Sequence, residues 1–124
     1  MTTISPWLSV GDTAVAIAFY QAAFGAVPTE RLEEGGTVLV ANLAVGGADF
    51  WVQHEPGVTP EAAGRGPVRM ILAVDDPDAV YARAVAAGAT EVAPLHDGHG
   101  WRVGRVADPC GHHWEIGRRL EPAR

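Results

Sequence analysis

Residues 10–26 read VGDTAVAIAFYQAAFGA and residues 74–89 read VDDPDAVYARAVAAGA, two stretches with the same punctuation about half a chain apart in a sequence of 124 residues. Each begins at a valine that closes an apolar run, Ile4–Val10 in one case and Val68–Val74 in the other. Each then places an aspartate, Asp12 or Asp76, where a helix wants an N-cap oxygen, and runs to Gly25 or Gly88, where a left-handed residue ends a helix at no steric cost. Pro77 at the first helical position strengthens the second start. The spacing predicts that the first helix turns Val15, Ala18, Phe19 and Ala22 to the apolar side. The second is predicted to turn Val80, Ala84 and Ala87 inward, with Tyr81 and Val85 beside them.

Outward from each helix come three strand-like stretches. They are Val27–Leu32, Val38–Ala44 and Ala48–Gln53 in the first half, and Glu91–Leu95, Arg102–Ala107 and His113–Gly117 in the second. Gly35-Gly36, Gly46-Gly47, Gly98 with Gly100, and Asp108-Pro109-Cys110-Gly111 supply the turns. The reading is an α+β chain of two tandem βαβββ modules in a single domain, 1–124. Module one covers about 1–53, an aperiodic Pro- and Gly-rich connector 54–67, and module two about 68–120.

Composition narrows the chemistry. Nine basic residues against fifteen acidic ones give a net charge of −6, which disfavours nucleic acid and anionic lipid as partners. That charge lies in residues 1–62, where seven acids face Arg31 alone; residues 63–124 balance eight acids with eight arginines. With no lysine, a Schiff base and a P-loop lysine are excluded, and neither Ser5 nor Ser9 sits in a G-x-S-x-G elbow. A lone Cys110 permits no internal disulfide, and Met1-Thr2-Thr3-Ile4 lacks the pattern of a secretory leader, so a reducing cytoplasm is the expected compartment.

The pattern V-G-D-x(6)-F-Y-x(3)-F-G-A over Val10–Ala26 and R-V-x-D-P-x-G-H-x-W-E over Arg105–Glu115, set in a duplicated βαβββ frame, resembles the vicinal oxygen chelate superfamily of glyoxalase I, bleomycin resistance proteins and extradiol dioxygenases. The resemblance implies an incomplete barrel around a cleft, built by two βαβββ units and often shared across a homodimer. In the metal-dependent members four ligands come from the first and last strands of the modules. The matching positions here are Ser5, Trp51, Arg69 and Glu115. A serine, a tryptophan and an arginine cannot complete a His/Glu shell, and a guanidinium repels a divalent ion. The expectation is therefore a cleft with no metal and no cofactor, in which Arg69 pairs with Glu115.

Strand alternation supplies the remaining site candidates. Ser5, Trp7 and Ser9 share the cleft face of the first strand, Asp49, Trp51 and Gln53 that of the fourth. Ile71, Trp101 and Arg105 join Arg69 and Glu115 from the second module. Trp7, Trp51 and Trp101 either fill the barrel or stack a planar or cationic organic ligand; Trp114 is expected in the core beside Ile116. Cys110 reads as a bystander thiol. His96, His99, His112 and His113 read as solvated or supporting side chains, the first pair in a loop. The leading expectation is a small-molecule-binding homodimer of the bleomycin resistance type. Two alternatives stand beside it: a glyoxalase-like lyase, isomerase or dioxygenase with a rearranged metal shell, and a metal-free enzyme with Glu115 as base.

Overall fold

The computed structural model describes residues 1–121; residues 122–124 of the expected domain lie outside the described residues. Module one runs β1 (Trp7–Val10), α1 (Thr13–Phe24), β2 (Val27–Glu34), β3 (Thr37–Val45) and β4 (Ala48–His54). After α2 (Pro60–Gly64), module two repeats the order as β5 (Met70–Ala73), α3 (Pro77–Ala86), β6 (Thr90–Gly98), β7 (Trp101–Ala107) and β8 (His113–Arg119). The sheets have the matching orders β1-β4-β3-β2 and β5-β8-β7-β6, with the first strand parallel to the last of its module and the other pairings antiparallel. They do not close into a barrel.

The caps are those the repeat predicts. The Asp12 carboxylate accepts the Val15 N–H at 3.1 Å and that of Asp76 accepts the Ala79 N–H at 3.2 Å. Gly25 takes φ +69°, and its N–H and that of Ala26 return to the carbonyls of Gln21 and Tyr20.

The inward face of α1 differs from the predicted one. Thr13, Ala16, Phe19, Tyr20, Ala23 and Phe24 are buried, while Val15, Ala18 and Ala22 are exposed. With alanines around most of the helix the apolar pattern is nearly isotropic, so the bulky pair Phe19-Tyr20 sets the orientation. In α3, Tyr81 and Ala84 are buried and Val80, Val85 and Ala87 pack against the core, as read. The connector also departs from its reading, because Thr59 caps the Ala62 N–H and starts α2.

One core serves both modules. The helix-side residues Leu8, Val10, Leu43 and Val52 belong to the same buried cluster as Val106, Trp114 and Ile116. Trp114 touches Tyr20, Phe24 and Phe50 with ring centroids 4.9–5.4 Å apart. The open sheet faces, each away from its helix, lie outside this core. No helix among the described residues is long and apolar enough to cross a membrane.

Candidate functional site

On the open face of module one the register places Trp7 beside Trp51 and Ser9 beside Gln53. The indoles of Trp7 and Trp51 stack at 6.1 Å with planes 28° apart. Trp7 Nε1 donates to Gln53 Oε1 at 2.9 Å, and Ser9 Oγ donates to the same oxygen at 3.4 Å. Trp7 is thus 52% exposed yet held by a hydrogen bond and a stacking neighbour. A flat apolar plate held in this way loses little freedom when a planar molecule lies on it.

A second chain of bonds runs beside the plate. Ser5 Oγ and Asn42 Nδ2 both donate to Asp49 Oδ2, at 3.2 and 2.9 Å, and Thr29 Oγ1 donates to Asn42 Oδ1 at 2.7 Å. Asn42 and Thr29 are absent from the sequence candidates. The signal for Asn42 lay in the two-residue Gly46-Gly47 turn, which puts Asn42 opposite Trp51 in the β3–β4 hairpin.

The second module has its own open face. Arg69 Nε donates to Glu115 Oε2 at 2.7 Å, so the expected pair forms, at the rim rather than buried: the side chains are 51% and 20% exposed. Arg69, Glu115, Ile71, Trp101 and Val103 border a cavity of about 470 Å3, and Arg119 lies 5.0 Å over the Trp101 ring. Arg105 borders a smaller adjoining recess with Arg69 and His113. The tryptophans of module one do not line the 470 Å3 cavity, so the candidates form two half-sites, one per module.

The histidines do not gather into one set. His96 lies within β6 rather than in a loop, because β6 extends through Gly98 before the turn; His99 sits in that turn at φ +55°. Both border the 470 Å3 cavity. His112 Nε2 donates to the Ser9 carbonyl at 2.8 Å, and His113 packs near Gly64.

The residues at the four positions where the resemblance puts metal ligands do not fit a divalent ion. Trp51 offers no lone pair and is stacked on Trp7, and Arg69 sets a cation against the one carboxylate. No step through a metal follows from this donor set.

Behind the half-sites Asp108, 4% exposed, ties the modules together. Its Oδ1 accepts the N–H groups of Cys110 and His112 at 2.9 and 3.0 Å, closing the β7–β8 turn. Its Oδ2 accepts Trp114 Nε1 at 2.9 Å and the Tyr20 hydroxyl of module one. Burial, and then the Asp108 charge, holds the Tyr20 phenol well above its ordinary range. The same two causes push the Cys110 thiol up to about 11, away from the reactive thiolate.

The sequence model of the glyoxalase/bleomycin resistance protein/dioxygenase superfamily matches residues 3–116. An uncharacterized protein of Mycobacterium tuberculosis is 40% identical over 117 residues, covering 87% of this chain and 69% of the relative. The crystal structure of TioX from Micromonospora sp. ML1 superposes with a TM-score of 0.79 at 32% identity, over 97% of this chain and 100% of that one. A glyoxalase-related enzyme from Fulvimarina pelagi gives a TM-score of 0.74 at 25% identity, over 96% of this chain and 89% of that one.

Proposed function

Because the chain belongs to the glyoxalase/bleomycin resistance protein/dioxygenase superfamily, we propose that it binds a planar organic molecule without a metal, sequestering it rather than transforming it. The observation that carries this reading is the substitution of the expected ligand shell by two self-satisfied pairs, Trp7 on Trp51 and Arg69 on Glu115. The first pair offers a rigid stacking plate. The second leaves the carboxylate engaged by a cation, which opposes its use as a general base.

The reading includes a second copy of the chain. Each half-site is open, and Trp7 and Ile71 on the two faces are 52% and 68% exposed. Bringing the plate of one protomer to the 470 Å3 cavity of its partner covers both apolar faces and encloses a ligand between them. A reducing cytoplasm suits the buried free Cys110.

Titration of the purified protein with a panel of planar antibiotics, followed by tryptophan fluorescence, tests the reading. Saturable quenching by at least one compound is expected, and a flat response across the panel overturns binding. Metal analysis of protein made without a histidine tag tests the other half, since one divalent ion per chain overturns the metal-free site. Light scattering is expected to return twice the 13.0 kDa chain mass.

A further inference from the structure

The open face of module two carries a guanidinium that no acid in the described structure holds. Arg105 lies opposite Glu115 in the β7–β8 register and is only partly exposed. Glu115, however, pairs with Arg69. Arg102, the other partly exposed arginine among the described residues, is held by two acids: Asp78 and Asp97 take its guanidinium at 2.8 and 3.1 Å. Among the described residues no carboxylate lies within ion-pair distance of Arg105. Two arginines flank one glutamate, so this part of the face has one positive charge in excess. A partly desolvated cation without a counter-charge is unfavourable, and an anion brought to it gains a charge-assisted bond.

The surroundings say which part of a ligand would supply that anion. Arg105, Arg69 and His113 border a recess of about 110 Å3, with Gly64, Gly66 and Val68 beside them. Arg69 also borders the larger cavity, whose other lining includes Ile71, Trp101 and Val103. A small cationic recess therefore adjoins a larger cavity with an apolar wall, which Glu115, His96 and His99 also border, and Arg69 is common to both. The net charge of −6 does not oppose this, because it resides in residues 1–62, whereas residues 63–124 balance eight acids with eight arginines.

We propose that the ligand is a planar compound carrying an anionic group, a carboxylate or a phosphate. Its ring system lies against Ile71, Trp101 and Val103, and its anion enters the recess against Arg105, whose fork can donate two parallel bonds to such a group. This inference rests on the binding reading above and names the chemical class of its ligand.

The test is calorimetric titration of the full chain with 2-naphthoate, 2-naphthyl phosphate and the neutral 2-naphthamide. At least one anion is expected to bind about tenfold more tightly than the amide, and the tighter of the two identifies the group. Arg105→Ala is expected to bring the anion-to-amide ratio to about one, Arg105→Lys to restore part of it. Arg118→Ala makes the same charge change outside the recess and is expected to leave the ratio as it was. Equal affinities of anions and amide in the unaltered protein overturn the anion site while leaving the binding reading standing. So does a ratio that survives Arg105→Ala, or tight binding of neutral or cationic planar compounds alone. Failure of all three probes together with the whole planar panel overturns both.

Discussion

Asp108→Asn probes the joint on which both half-sites depend. The substitution keeps an oxygen that can accept the Cys110 and His112 N–H groups, so the β7–β8 turn can persist. It replaces Oδ2 by an NH2 group, which faces the Trp114 N–H as donor against donor and can only donate to the Tyr20 hydroxyl, so neither group keeps its charged acceptor. Two hydrogen bonds to a charged acceptor are lost, each worth about 1.5–3 kcal/mol, for a total of about 3–6 kcal/mol. Unfolding a chain of 124 residues releases about 0.26 kcal/mol per kelvin, so the expected fall in Tm is about 12–23 °C. Scanning calorimetry of the single variants Asp108→Asn and Tyr20→Phe and of the double variant separates the shared bond from general damage. If Tyr20 stabilises through Asp108, the two losses are not additive, and the coupling exceeds about 0.5 kcal/mol. A Tm within about 3 °C of the parent for Asp108→Asn, or strictly additive losses, would refute the assignment of Asp108 as the link between modules.

Three further perturbations test other parts of the structure. Gly111 has φ +96°, and an added Cβ would stand 2.0 Å from the Pro60 carbonyl oxygen; Gly111→Ala should therefore cost more than the about 1–3 kcal/mol of backbone strain alone, measured by urea denaturation. Cys110 and Tyr20 have folded pKa values raised above their ordinary values of 9 and 10, Cys110 to about 11. The native state thus holds these protons longer than the unfolded chain: their contribution is complete below about pH 9 and declines as pH rises through 9–11 and beyond. Thermal melts across that range should show the decline, and Cys110→Ala should make it shallower; an unchanged slope would contradict the raised thiol. Trp7→Ala removes one ring of the exposed plate and should weaken a planar ligand by about 0.5–1.5 kcal/mol, about two- to thirteenfold in Kd by calorimetry; unaltered affinity would place the ligand elsewhere.

Much of this architecture was legible because its signals are local. Asp12 and Asp76 cap the helices, Gly25 and Gly88 end them, and paired glycines turn the hairpins, so the βαβββ repeat follows from short-range chemistry. Strand alternation likewise brought Trp7, Trp51, Gln53 and Asp49 to one face and Arg69 to Glu115. Less local features escaped. The orientation of α1 depends on Tyr20 and Phe24 meeting Trp114, and Tyr20 meeting Asp108, from the other module, which the alanine-rich helix does not announce. The start of α2 depends on a single Thr59 cap inside a Gly- and Pro-rich stretch. The division into two half-sites depends on how the modules share a core, a contact set without a short-range signature.

That shared core also explains how the residues at the four ligand positions can vary without disturbing the fold. The core uses the helix-side residues of both sheets, where a change of shape in one module is felt by the other through Trp114 and its aromatic neighbours. Ser5, Trp51, Arg69 and Glu115 lie on the opposite faces and are not members of that buried cluster. What those faces must still do is satisfy their polar groups. Gln53 is taken by Trp7 and Ser9, Asp49 by Ser5 and Asn42, and Glu115 by Arg69. Arg105, opposite Glu115 and only partly exposed, has no acid of its own among the described residues, and so it is where a ligand's charge has much to contribute.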